Sequence, residues 1–247
     1  MKKHKFLLLS MLLIVAIIFF ISLANMVRGK GFYIFYNLIY GLLLSTILPL
    51  YFTYKSRGHK AFYDLGIRKI RIRQIVILVA FVIFSVGGQC IPLIINSISI
   101  PFELLSLCIV PLIMTTFFEE FLFRGFMQTR FEKQYGWLPA ILISGFFFSI
   151  YHLGYPGFRT ISDLLLLFAV GIGFAVAFKL SDNNVIVSYF VNLPNAILTY
   201  LLKIEQFPVF DNFSTVIAGG TILFIILIFI FSSKKMKKQH YVNKYSL

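Results

Sequence analysis

The stretch FFEEFLFRGF at residues 117–126 places two adjacent acids and an arginine in a run that is otherwise apolar. Ionisable side chains are costly within a bilayer, and those that occur usually face a bundle interior or a wet cavity. Glu120 and Arg124 are four residues apart with the acid first, an order that favours an ion pair on one helix face. Glu119 points about 100° away from Glu120 and has no partner nearby in the sequence. An unpaired carboxylate in an apolar site suits a general base or acid; the structural alternative is one buried network of all three charges that fixes helix packing.

The composition of the whole chain is that of a membrane protein. Of its 247 residues, 59% are hydrophobic and 13% are charged, whereas soluble domains hold about 45–50% apolar and about 25% charged residues. Apolar runs of roughly 17–25 residues, the length that crosses a bilayer as a helix, recur along it. We expect an all-α polytopic membrane bundle of about eight transmembrane helices, or seven if one of the short fifth and sixth runs does not span. The runs are 6–24, 32–53, 75–99, 102–127, 137–153, 161–179, 183–203 and 213–233.

The distribution of basic residues predicts the topology. If the N-terminus is cytoplasmic, all but four of the 23 Lys and Arg fall on the cytoplasmic side or in a span that ends there; the exceptions are Arg28, Lys30, Arg159 and Lys203. Cytoplasmic loops of membrane proteins carry such an excess, so both termini are predicted to be cytoplasmic and the number of spans even. The net charge of +14 therefore indicates topology and contact with lipid headgroups, and it does not indicate binding to nucleic acid.

One polar connector, residues 54–74, is long and basic. Its isoleucines at 67, 70 and 72 alternate with basic residues, which fits either a short interfacial helix on the cytoplasmic leaflet or an ordinary basic loop. Cys90 and Cys108 both lie in apolar runs, so no disulfide framework is expected.

A histidine follows the fifth apolar run. In FFFSIYHLGYPG, residues 146–157, His152 comes at the end of the span and just before a turn. A single histidine at such a position is usually interfacial. Beside Glu119 on the neighbouring span, however, its imidazole could orient a water, shuttle a proton or ligate a metal.

Two asparagines interrupt the seventh run. Asn192 and Asn195 flank Pro194, whose ring removes a helix hydrogen bond and loosens the backbone. The two amides suit either a catalytic role or hydrogen bonds between helices, which asparagine makes readily in membranes.

Together these motifs resemble those of the CAAX protease and bacteriocin self-immunity family (CPBP, also called Abi), intramembrane proteases with about eight helices. Residues 119–124 fit the pattern E-E-x-x-x-R and residues 148–152 fit F-x-x-x-H, in the family's order and on successive spans. The resemblance covers roughly residues 103–200, with the flanking spans as less specific packing. It implies an endopeptidase in which one acid is essential, the histidine assists it, and three further residues support the site. The essential acid is Glu119, the histidine is His152, and the supporting residues are Glu120, Arg124 and Phe148.

The family's third motif, H-x-x-x-N or H-x-x-x-D, is altered in this chain. Asn192 stands where the second histidine belongs, Ala196 stands where the final asparagine belongs, and Asn195 lies one residue early. In a metal mechanism, Glu119, His152 and the second histidine would hold Zn²⁺; asparagine is a poor zinc ligand, so that site is expected to be weakened or absent. In a glutamate mechanism, Glu119 assisted by His152 activates water, and Asn192 or Asn195 donates a hydrogen bond to the oxyanion. Asn192 is compatible with the second mechanism and damaging to the first.

The resemblance also implies an organisation and a role. Residues 101–203 form the core that carries the motifs, 1–100 the preceding transmembrane helices, and 204–247 the last transmembrane helix with a basic tail. The implied protein is a multi-pass protease of the bacterial cytoplasmic membrane that cleaves a membrane-associated peptide or protein at the cytoplasmic side, in bacteriocin immunity, peptide processing or protein maturation. One alternative is a catalytically inactive member that acts as a binding, immunity or scaffold protein. Another is a transporter or channel, against which stand the two ordered motifs and the lack of inverted repeats.

These span boundaries leave the two motif residues at different depths. Measured from cytoplasmic ends near residues 127 and 137 at a rise of about 1.5 Å per residue, Glu119 lies about 12 Å deep and His152 about 22 Å deep. The two side chains meet only if one of these boundaries is misplaced.

Overall fold

The computed structural model describes residues 4–204, 207 and 209–245, apart from the side chains of residue 92 and residues 235–245. Within these ranges the chain is helical without strands, and eight helices are long and apolar enough to cross a membrane. The predicted all-α bundle is therefore confirmed, with eight helices that could span a membrane. The helices are α1 Lys5–Val27, α2 Gly29–Asp64, α3 Ile72–Ile95, α4 Phe102–Tyr135, α5 Trp137–Gly154, α6 Ile161–Leu180, α7 Val185–Leu202 and α8 Asn212–Tyr245, of which Asn212–Lys234 is the apolar part.

One end of the bundle gathers the basic segments, and we call it the basic end. It comprises the start of α1, the connector 54–74, the α4–α5 junction at 128–136 and the α6–α7 junction at 179–185. Phe6 packs on Phe126 with ring centroids 5.7 Å apart, the amide of Val185 donates to the carbonyl of Gly66 at 2.9 Å, and Lys179 pairs with Glu132. Lys2, Lys3 and the basic side chains from residue 235 onward lie outside the described side chains.

The opposite end, here called the far end, comprises the turn at 28–29 and the connectors 96–101, 155–160 and 203–211. The amide of Asn25 donates to the carbonyl of Gly154 at 3.2 Å, and the hydroxyl of Tyr33 donates to the carbonyl of Val209. Lys203 approaches Asp163 at 3.9 Å. These contacts link α1 to α5, and they link the connector 203–211 to α2 and α6.

The connector 54–74 is neither of the two forms expected from the sequence. Helical turns continue to Asp64, residues 67–71 have no regular secondary structure, and α3 begins at Ile72. The side chain of Gln74 donates to the carbonyl of Ser181 at 2.7 Å, and Arg68 donates to the carbonyl of Asp182. The connector is therefore bound to the α6–α7 junction and has no separate interfacial helix.

Helix α4 is longer than its apolar run predicts. It continues past residue 127 to Tyr135 because Arg130, which looks like a loop residue in the sequence, is held in the bundle. Its guanidinium lies 3.9 Å from the ring centroid of Phe126, and it donates to the hydroxyl of Thr53 at 2.6 Å. Counted from Tyr135, Glu119 lies roughly 24 Å from the basic end, and His152 lies roughly 22 Å from Trp137 at 1.5 Å per residue. The difference in depth expected from the sequence was wrong, and its cause was the boundary of this helix.

In the part of the chain that the structure describes, two segments are π-helical, Tyr36–Ile47 in α2 and Glu120–Gln128 in α4. A π segment is wider than an α-helix and occurs frequently at functional sites. The α4 segment starts directly after Glu119 and is pressed against the connector at Gly125, where a Cβ atom would lie 2.6 Å from the carbonyl oxygen of Leu65. Any side chain at 125 would displace that backbone, so glycine is required for the contact.

Candidate active site

The carboxylate of Glu119 sits on α4 between donors from two other helices. The hydroxyl of Tyr151 on α5 donates to its Oε1, and the amide nitrogen of Asn192 on α7 donates to its Oε2 at 3.0 Å. Only 7% of Glu119 is exposed. The sequence-based expectation that this carboxylate is unpaired was wrong, because both of its partners come from elsewhere in the chain.

Asn192 bridges the two adjacent acids. Its Nδ2 lies 3.0 Å from Oε2 of Glu119 and 3.0 Å from Oε1 of Glu120. A side-chain amide nitrogen has two hydrogens, so both are engaged by carboxylates. In this arrangement the amide holds the acids in place, and neither hydrogen is left for an oxyanion, the role that the resemblance implied.

Glu120 and Arg124 form the ion pair that their spacing predicts. Oε2 of Glu120 lies 3.6 Å from Nε of Arg124, and both side chains are buried. The guanidinium also donates to the hydroxyl of Ser144 at 2.6 Å and lies 5.2 Å from the ring centroid of Phe148. Glu120 and Arg124 lie behind Glu119, whereas Phe148 reaches the cavity described below. Burial of a charge without a partner is strongly unfavourable, so this pair stabilises the layer of side chains on which Glu119 rests.

His152 ends α5 with a fixed orientation. Its Nδ1 lies 2.8 Å from the carbonyl oxygen of Phe148, which can only accept, so Nδ1 carries the hydrogen and Nε2 is left as an acceptor. The imidazole also packs on the ring of Tyr151, with centroids 4.1 Å apart. Tyr151 therefore contacts both predicted catalytic side chains, one through its hydroxyl and the other through its ring.

Gln89 and Asn195 form a second polar pair in the wall of the same cavity. Gln89 on α3 donates its amide to Oδ1 of Asn195, and the hydroxyl of Thr199 donates to Oε1 of Gln89 at 3.3 Å. The contact with Gln89 uses the carbonyl of Asn195, so its N–H groups are available to a ligand.

All four predicted catalytic side chains, Glu119, His152, Asn192 and Asn195, line one cavity of about 670 Å³. Its walls are mostly apolar and aromatic. Among its lining residues, Tyr151 and Gln89 were not singled out from the sequence. Nothing in the sequence marks Tyr151 as a site residue, since tyrosine is common in spans. Gln89, in contrast, is an amide within an apolar run and could have been noticed.

The donors present do not make a zinc site. A catalytic zinc takes three protein ligands from His, Cys, Asp or Glu and a water. Among the described residues, no group of three such side chains could hold a metal ion. Where the resemblance implies a second histidine there is Asn192, and its amide nitrogen is a donor to the carboxylates.

Comparison with known proteins adds the family. Residues 101–197 match the model of a family described as Type II CAAX prenyl endopeptidase Rce1-like. No curated protein and no solved structure matches the chain. The matched segment begins just before α4 and ends within α7, so it contains Glu119, His152, Asn192 and Asn195. The match confirms the resemblance seen in the motifs: residues 101–197 are similar to this family of CAAX endopeptidases.

Proposed function

We propose that this protein is an intramembrane endopeptidase in which Glu119 activates a water molecule. The observation that carries the proposal is the placement of Glu119 at the inner wall of an apolar cavity that it shares with His152. A carboxylate held by Tyr151 and Asn192 is fixed in one orientation, which a general base requires. The apolar walls suit a peptide segment that is embedded in or anchored to the membrane.

The reaction is hydrolysis of a peptide bond. Glu119 takes a proton from water while the water oxygen attacks the carbonyl carbon, and the electrons of the C=O bond move to its oxygen. Nε2 of His152 accepts a hydrogen bond from the same water and orients it. The oxyanion then re-forms the C=O bond as the C–N bond breaks, and Glu119 returns the proton to the leaving nitrogen, which yields a carboxyl group and an amine. The amide N–H groups of Asn195 are the donors available to the oxyanion, since the hydroxyl hydrogen of Tyr151 is already donated to Glu119.

Asn192 has a supporting role in this account. It holds Glu119 and Glu120 at a fixed separation, and the Glu120–Arg124 pair holds Glu120 in turn. The core that carries the motifs, residues 101–203, is completed by side chains from the N-terminal helices, since Tyr36 of α2 and Gln89 of α3 line the cavity. Bacteriocin immunity, peptide processing and maturation of membrane proteins, in a bacterial cytoplasmic membrane, are the roles that this activity would serve.

A catalytically inactive binding or immunity protein is the second candidate. It is favoured by Asn192 in place of the second histidine and by the engagement of both Glu119 oxygens. The same cavity would then hold a peptide without cleaving it.

The experiment that separates the two candidates compares peptide termini. Membranes of cells that produce the wild-type protein, Glu119→Gln or Glu103→Gln are analysed by mass spectrometry for new N- and C-termini, with protein levels matched. Glu103 is the control because it is an exposed carboxylate on the same helix outside the cavity. The proposal expects termini that are present with the wild-type protein and Glu103→Gln and missing with Glu119→Gln. Identical termini in all three samples would contradict it and favour the binding protein.

A further inference from the structure

The cavity is not centred in the bundle. On each helix that lines it, the lining residues occupy the middle and the part that leads to the far end. Phe174 on α6 and Val191 on α7 are the lining residues closest to the basic end on those helices, and Asp163 and Lys203 line it where the helices reach the far end. No cation of the basic end lines the cavity among the described residues.

Buried aromatic side chains fill the bundle between the cavity and the basic end. Beyond Glu119, helix α4 presents Phe123, Phe126 and Phe131, which are buried. Phe126 and Phe131 both pack on Phe6 of α1, with ring centroids 5.7 Å and 5.0 Å apart. This aromatic layer leaves Glu119 approachable from the far end and not from the basic end.

The cavity also reaches the side of the bundle between α3 and α6. Phe84 on α3 and Leu166 on α6 line it and are 80% and 55% exposed. Gly88 on α3 and Gly173 on α6 also line the cavity, and a Cβ atom at either position would meet nothing within 4 Å. A chain in the half of the bilayer nearest the far end can enter here without crossing the aromatic layer.

The charges of the two ends differ strongly. The basic end holds the described cations of 54–74, together with Arg130, Lys133 and Lys179, against Asp64, Glu132 and Asp182. The far end holds four described cations, Arg28, Lys30, Arg159 and Lys203, against Glu103, Asp163 and Asp211. Loops rich in Lys and Arg remain in the cytoplasm during insertion, so the basic end is the cytoplasmic end of this bundle.

We propose that the cavity opens to the extracytoplasmic side and takes its substrate from the outer leaflet. The substrate class is a peptide segment of an exported or membrane-anchored protein that is accessible at the outer surface. The cytoplasmic-side substrate expected from the sequence is replaced, because the motifs lie at the end opposite the basic loops. The substrate part of this inference rests on the proposed function, whereas the orientation of the cavity does not.

The test places single cysteines at the two ends. In a background with Cys90→Ala and Cys108→Ala, Arg159→Cys reports on the far end and Lys60→Cys reports on the basic end; both positions are exposed and lie outside the site. Intact cells are treated with a membrane-impermeant maleimide, before and after the membrane is permeabilised, and labelling is measured on the purified protein.

We expect Arg159→Cys to be labelled in intact cells and Lys60→Cys only after permeabilisation. The reverse pattern, or labelling of both in intact cells, would overturn the proposal. Labelling does not require catalysis, so the same pattern is expected when Glu119→Gln is added. If the peptide termini are identical in all samples but the labelling pattern is the expected one, the protein is oriented as proposed without being a protease.

Discussion

The amide nitrogen of Asn192 lies 3.0 Å from an oxygen of Glu119, and it makes an equal contact with Glu120. Two neighbouring carboxylates on one helix repel each other in an apolar layer, and a shared donor reduces that repulsion. Asn192, which replaces the second histidine of the third motif, therefore holds Glu119 and Glu120 of the first motif in place.

Replacement of Asn192 by alanine removes a shared donor and should destabilise the protein. Each carboxylate oxygen left without a donor costs about 1–3 kcal/mol, so the thermal midpoint in detergent should fall by several degrees. Asn195→Ala is the matched control, because Asn195 is on the same helix, lines the same cavity and contacts Gln89 instead of the acids. An Asn192→Ala variant that keeps the wild-type midpoint, or loses less than Asn195→Ala, would contradict a stabilising role for the bridge.

Tyr151→Phe removes one hydroxyl from Glu119 and leaves the ring that packs on His152. A hydrogen bond to a charged group contributes about 1.5–3 kcal/mol, so the rate of cleavage should fall by roughly 10- to 100-fold. The control is Tyr155→Phe, which also lines the cavity but donates to the hydroxyl of Tyr36 at 2.7 Å. If both variants retain full activity, the Tyr151 hydroxyl does not orient the base.

The Glu120–Arg124 pair should behave as a unit in a double-mutant cycle. Loss of one partner of a buried ion pair costs about 3–5 kcal/mol, because the remaining charge is left uncompensated. Glu120→Gln and Arg124→Gln should each lower the thermal midpoint strongly, and the double variant should lose less than the sum of the two. Additive losses would mean that the 3.6 Å contact carries no coupling.

A side chain at Gly88 should obstruct the gap between α3 and α6. Gly88→Leu is expected to lower cleavage by roughly tenfold or more, which corresponds to about 1.4 kcal/mol in the barrier, without loss of thermal stability. Gly87→Leu is the control, since both positions have open space around a Cβ atom but only Gly88 lines the cavity. Equal activity of the two variants would place substrate entry elsewhere.

The sequence predicts those features that depend on neighbours along the chain. Eight apolar runs predict eight helices, and the spacing of Glu120 and Arg124 predicts their pair. The sequence could not predict that α4 continues to Tyr135, because Arg130 is held by the ring of Phe126 and the hydroxyl of Thr53. Nor could it predict the partners of Glu119, since Tyr151 and Asn192 reach it from two other helices and only the packing of those helices brings them together.

The most direct test of the account measures hydrolysis by the purified protein in lipid nanodiscs. The substrate is a peptide identified by the comparison of termini, and the rates of wild-type protein, Glu119→Gln and Glu103→Gln are compared beside their thermal midpoints. General-base catalysis contributes about 10²–10⁴-fold, so Glu119→Gln should lose at least about 10²-fold in rate while it remains folded and Glu103→Gln keeps wild-type activity. A folded Glu119→Gln variant that cleaves within a few-fold of the wild-type rate would contradict the central claim that this carboxylate activates the water.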